Sequence, residues 1–181
     1  MFTQPSVAYQ LSAEVKWPSK GSLTLDASST SGAAIKAAPG SRIISTGKRS
    51  KLVVVGLEMT GGFTVTEESG GAVSVGESSS FKAVDSSFKN NVAGAGGAVF
   101  VQPGSTFKAT RSEFFNNTAI LGGALHASKD VNFRITDSVF KSNTASGLDG
   151  FDVALGGAVQ LGYASGKHVG GVVCLKFSSL Q

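Results

Sequence analysis

Two charged columns run through this chain of 181 residues at an interval of 26: Lys82, Lys108 and Arg134, and, three residues after each, Asp85, Arg111 and Asp137. If the fold stacks equivalent residues, the first column is a row of cations able to track an acidic polysaccharide or another polyanion. Three like charges about 5 Å apart repel in water by roughly 1 kcal/mol per neighbouring pair before salt screens them. The plain alternative is a solvated face, with the repulsion eased by Asp85, Glu113 and Asp137 nearby. The second column alternates in sign, as a ladder of salt bridges closing a strand would. Enzymes that cleave acidic polysaccharides also place carboxylates and an Arg or Lys in a groove. Equivalent carboxylates two coils apart would stand about 10 Å from each other, near the upper limit for an inverting pair.

The remaining reactive side chains offer little. His126 and His168 have no carboxylate, Ser or Cys at a spacing that forms a relay. The single cysteine, Cys174, excludes an intrachain disulfide and a multi-cysteine metal site, and is expected to be a small buried side chain. Asp149 and Asp152 could offer two carboxylates to Ca²⁺, short of the six to eight oxygens it takes, so an ordinary acidic turn is expected. Asn116-Asn117-Thr118 is a glycosylation sequon, and Thr64-Val65-Thr66 is the lone segment with the Thr-x-Thr pattern of ice-binding solenoids. No catalytic residue, cofactor or metal is expected. The formal charge of +4 comes without basic runs interleaved with aromatics, so nucleic acid is not an expected partner.

Whatever positions the charged columns must share their period, and it does. Gly-Gly-Ala followed by Val or Leu begins at Gly70, Gly96, Gly122 and Gly156, at Gly70-Gly71-Ala72, Gly96-Gly97-Ala98, Gly122-Gly123-Ala124 and Gly156-Gly157-Ala158. The last interval is 34, which is 26 plus an eight-residue insertion at about 146–155. Counting from each first Gly, one Phe recurs as Phe81, Phe107 and Phe133, and a second as Phe88, Phe114 and Phe140, followed after three residues by Asn91, Asn117 and Asn143. Alternation assigns the faces: Val73/Val75, Val99/Val101, Leu125/Ala127 and Val159/Leu161 point in, while Ser74, Phe100, His126 and Gln160 point out. By the same rule Phe81/Ala83, Phe107/Ala109 and Phe133/Ile135 point in, and Lys82, Lys108 and Arg134 point out.

A unit this short cannot bury an apolar face alone, so copies must stack. Turns of Gly, Ser, Asn and Pro every seven to nine residues leave no room for crossover helices, and 24 Gly disfavour helix altogether. The expected fold is all-β: a right-handed parallel β-helix, or solenoid, with three short strands per coil and about five to six coils. Residues 21–161 form the β-helix domain, regular over 70–161; 1–20 are unassigned and 162–181 are a degenerate final coil or tail. Neither a signal peptide nor a membrane-spanning run is visible.

These residues carry a family likeness. The Gly-Gly-Ala-aliphatic phrases, with Phe88-Lys89-Asn90-Asn91, Phe114-Phe115-Asn116-Asn117 and Phe140-Lys141-Ser142-Asn143, resemble the GGA[I/V/L] and FxxN repeats of the chlamydial polymorphic membrane proteins, of the pectin-lyase-like β-helix type. The resemblance implies a secreted, cell-surface or outer-membrane passenger used in adhesion, with a glycan or a host or cell-surface protein as partner. The function expected is thus a non-enzymatic surface scaffold. The alternatives are a polysaccharide lyase or hydrolase, or a fragment without independent function. Self-association through the solenoid ends is a further expectation, because exposed strand edges need caps.

Overall fold

The computed structural model describes residues 7–30, 32–64, 69–146, 158–161 and 174–176. They form short parallel strands stacked coil on coil, with no helix among them. Strands that follow the Gly-Gly-Ala phrase make one six-stranded sheet: Val15–Trp17, Ile44–Thr46, Val73–Val75, Val99–Val101, Leu125–Ala127 and Val159–Leu161. A second sheet, of longer strands, comprises Ser22–Asp26, Lys51–Val55, Ser80–Val84, Thr106–Thr110, Asn132–Thr136 and Cys174–Lys176. The third holds the Phe-x-x-Asn segments: Ala8–Gln10, Ala34–Lys36, Glu58–Thr60, Ser87–Lys89, Glu113–Phe115 and Val139–Lys141.

A fourth, short sheet joins the three that the sequence leads one to expect: Val92–Ala95, Thr118–Leu121 and Thr144–Ala145, continued by bridges from Phe63 and Ser69. Its residues, such as Val92-Ala93-Gly94-Ala95, lack the apolar–polar alternation that marks the other strands, so periodicity passes over them. In the first coils the spacing is uneven, 29 at Val15↔Ile44 but 24 at Ala34↔Glu58, and the next step is 29, as in Ile44↔Val73 and Leu52↔Phe81, where the regular coils give 26. The connection after Glu58–Thr60 accounts for that step, being three residues longer than its counterpart after Ser87–Lys89.

Inward side chains meet in ladders along the axis. Phe88, Phe114 and Phe140 stack nearly parallel, with centroids 4.9 and 4.5 Å apart, while Phe81, Phe107 and Phe133 lie tilted or edge-on at 5.4 and 5.8 Å. The two ladders touch edge-to-face through Phe81–Phe88 and Phe107–Phe114. Each fully buried ring contributes about 1.5–3 kcal/mol.

The turns are held by polar ladders. Asn91 and Asn117 are fully buried. The Asn117 side chain donates to the Phe88 carbonyl (2.9 Å) and to Asn143 Oδ1 (2.9 Å), and accepts from the Asn91 N–H (3.1 Å) and Asn91 Nδ2 (3.0 Å). A carboxamide supplies both donors and acceptors, so one residue type can satisfy its own ladder and the adjoining backbone. Two serine columns do the same with hydroxyls: the backbone N–H groups of Ser50 and Ser79 donate to Ser79 and Ser105, and those of Ser86 and Ser112 to Ser112 and Ser138. The Gly-Gly pair has a steric cause. Gly70, Gly96 and Gly122 have φ of 77°, 60° and 60°, and a Cβ on Gly97 would collide with the Gly123 carbonyl of the next coil. Gly156 and Gly157 lie outside the described residues.

Candidate functional site

Register places Lys82, Lys108 and Arg134 side by side on consecutive strands of the long-stranded sheet, and all three are exposed. Their neighbours Phe81/Ala83, Phe107/Ala109 and Phe133/Ile135 are buried, so the backbone alternation itself forces the charges outward. Polar, half-buried Thr106, Thr110 and Thr136 border the row.

The anticipated relief by nearby carboxylates needs correcting. Asp85 is engaged by Arg111, whose Nε and Nη2 reach its two oxygens at 2.7 Å each. Glu113 sits 3.4 Å from Lys89 Nζ, which also holds Glu58 at 3.1 Å. Among the described residues, none of the three row cations makes an ion pair. In the corner after the long strand Asp85, Arg111 and Asp137 all adopt left-handed φ of 46–49°.

That corner lines a groove of about 790 Å³, floored by Leu57, Ser86 and Ser112 and flanked by Asp85, Arg111 and Glu113. The hydrogen bonds from Arg111 hold the Asp85 carboxyl below its ordinary pKa, and the same contact raises that of Arg111, with a smaller contribution from Asp137. Burial works against the Lys89 ammonium, but Glu58 and Glu113 together outweigh it and raise its pKa. The Asp85 carboxyl is therefore pushed away from the range a general acid needs, and Arg111 holds both its oxygens. The second column is an ion-paired corner.

Other expected positions fall as follows. Ser74 keeps its place in the column of Ser45 and Phe100, opposite the inward Val73 and Val75, but is buried there as a short side chain beside the larger Phe100. His126 does not stand alone, since its ring stacks on Phe100 at 5.5 Å and 7°. Thr64 is buried, which removes it from any outward Thr-x-Thr face. Asn116 is exposed, at a left-handed turn position with φ 52°, and its Nδ2 donates to Asn90 Oδ1. His168, Asp149 and Asp152 lie outside the described residues, as does the side chain of Cys174, whose backbone pairs with Arg134. Among the described residues, no group of three or more His, Cys, Asp or Glu side chains could hold a metal, and no helix is long and apolar enough to cross a membrane. The serine columns also have a signal in the sequence, since Ser86, Ser112 and Ser138 recur at the 26-residue interval, but Ser is too common in this chain for that spacing to stand out.

Residues 85–102, from the Asp85 turn through Phe88-Lys89-Asn90-Asn91 and Gly96-Gly97-Ala98 to the strand after it, match the Chlamydia polymorphic membrane protein repeat. The described residues form a parallel β-solenoid that carries one match to this repeat. No curated protein and no solved structure matches this chain. The matched repeat is one described for polymorphic membrane proteins, and it suggests a surface or outer-membrane location.

Proposed function

We propose that this solenoid is a non-enzymatic, adhesin-like surface scaffold whose long-stranded face binds acidic glycans through Lys82, Lys108 and Arg134. The supporting observation is the unpaired cation row: three exposed cations in strand register, with the neighbouring carboxylates of Asp85 and Glu113 committed to Arg111 and Lys89. Adjacent coils lie about 4.8 Å apart, so the row repeats at a step suited to a linear polymer bearing regularly spaced anions. An anionic chain laid along it would replace the mutual repulsion of the cations with attraction. Exposed single ion pairs are worth about 0–1 kcal/mol each, so the affinity would be modest and salt-dependent.

The test is binding of the intact chain to heparin and to polygalacturonate, compared with the variant K82S/K108S/R134S. Affinity for both polymers should fall at least about tenfold, the loss expected from two or three weak ion pairs. Unchanged binding would remove the row from the function. Sizing the polymers after incubation separates this reading from the enzymatic one, because a scaffold retains the polymer and a lyase or hydrolase shortens it.

A further inference from the structure

The formal charge of +4 is unevenly placed. Residues 14–51 contain seven Lys or Arg and two Asp or Glu, so this stretch carries +5 and the rest of the chain −1. One of the seven, Arg42, is paired with Glu14, and Asp26 accepts from the Ser28 N–H. The fold gathers most of the others on one corner. Lys20 and Arg49 occupy the same position in the turn between the Gly-Gly-Ala sheet and the long-stranded sheet on successive coils, both in left-handed backbone, with φ of 62° and 56°. The coils are tied there by hydrogen bonds from Lys20 N to Lys48 O and from Arg49 N to Glu77 O, each 2.9 Å. Lys48 is exposed and pairs with Glu77. Lys51 begins the next long strand and faces outward on the same sheet face as Lys82, its strand pairing with the Lys82 strand. Among the described residues, Lys20, Arg49 and Lys51 have no ion-pair partner.

We infer that this corner is a second anion subsite continuous with the Lys82–Lys108–Arg134 row, and that it selects densely charged, sulfated glycans over polymers bearing one carboxylate per sugar. The inference rests on the glycan-binding reading of the row and extends it. Lys51 and Lys82 are one coil and two residues apart, roughly 8 Å, so the cations form an unbroken track. The row offers one cation per coil, whereas the corner concentrates several within two coils, and only a polymer with more than one anion per sugar can neutralise both. A linear chain can follow a corner onto a face; a flat membrane cannot, and the large exposed apolar side chains Val7, Tyr9, Phe63 and Val139 lie on other sheets. The nearest aromatic side chain, Trp17, is half-buried with its indole against Gly21, and one such ring falls short of the succession of stacking platforms that single-stranded nucleic acid would require.

The experiment measures heparin and polygalacturonate binding against salt for the intact chain, for K82S/K108S/R134S and for K20N/R49N/K51S, in which Asn retains the left-handed turns. A third variant, K20R/R49K, keeps the charge and controls for structure. The corner variant should lose at least about tenfold in heparin affinity and about 2 units from the log–log salt slope, at roughly 0.7 for each cation removed, and change polygalacturonate binding less than about threefold. The charge-preserving variant should bind as the intact chain does. Heparin affinity and slope unchanged in the corner variant overturn the subsite, and equal losses for both polymers overturn the selectivity. If only the row variant retains full binding, the reading of the row fails while the corner stands.

Discussion

Removing the Asn117 side chain, as in Asn117→Ala, tests whether the polar ladder or the Phe stacks hold the coils in register. Asn117 is wholly buried and makes four side-chain hydrogen bonds. On its loss, Asn91 Nδ2 keeps the Met59 carbonyl and Asn143 Oδ1 keeps the Asn117 N–H. The Asn91 N–H and the Phe88 carbonyl lose this partner in the interior. The stranded Asn91 N–H costs about 1–3 kcal/mol and the lost bond to the Phe88 carbonyl, which sits in a paired strand, about 0.5–1.5 kcal/mol, giving about 1.5–4.5 kcal/mol in all. In a chain of this size that corresponds to a fall in Tm of roughly 3–18 °C, at about 2–4 °C per kcal/mol. The control is Asn116→Gly, which preserves the left-handed turn and removes one exposed bond to Asn90, with an expected cost of about 1 kcal/mol or less. Urea and thermal unfolding followed by circular dichroism give both values. Equal destabilisation of the two variants would refute the reasoning, because it would mean that burial of the amide carries no special cost.

Gly97→Ala should prevent stable stacking, since its Cβ would meet the Gly123 carbonyl, while Gly104→Asn, at φ +69° with only Ser78 Oγ within 4 Å, should cost about 1 kcal/mol or less; soluble yield and unfolding midpoint distinguish them. The Asp85 carboxyl, lowered by its hydrogen bonds from Arg111, contributes stability above the unfolded carboxylate pKa of about 4 and loses it as pH falls through the lower folded value. Asp85→Asn should therefore flatten the acid limb of the stability profile slightly, because the pair is exposed, and a steeper limb in the variant would contradict the assignment.

The residues of the repeat carry a great deal on their own. A Phe column at Phe88, Phe114 and Phe140 and an Asn column three residues on leave little choice but stacking, because equal spacing in sequence becomes equal position around a coil. Strand alternation likewise sends Lys82, Lys108 and Arg134 outward, since neighbours on a strand cannot share a face. The fourth sheet is hidden from such reasoning because Val92–Ala95 and Thr118–Leu121 lack that alternation, being small or apolar almost throughout. The burial of Ser74 and Thr64 is likewise not written in the alternation: short hydroxyl side chains are covered or not according to their neighbours, and only the fold supplies those.

Which charges are partnered is largely a matter for the tertiary structure. The alternating signs of Asp85, Arg111 and Asp137 already suggest the Asp85–Arg111 pair, which the structure forms across one coil; that Glu113 goes to Lys89, and that no row cation is ion-paired among the described residues, emerges only from stacking. The basic corner also depends on stacking. Lys20 and Arg49 are 29 residues apart and unremarkable in sequence, and become neighbours only when the upstream coils close at that longer period. Sequence determined the ladders, the Asp85–Arg111 rung among them, because they depend on the repeat; the fold determined the charge partners off that period, which depend on where the corners turn.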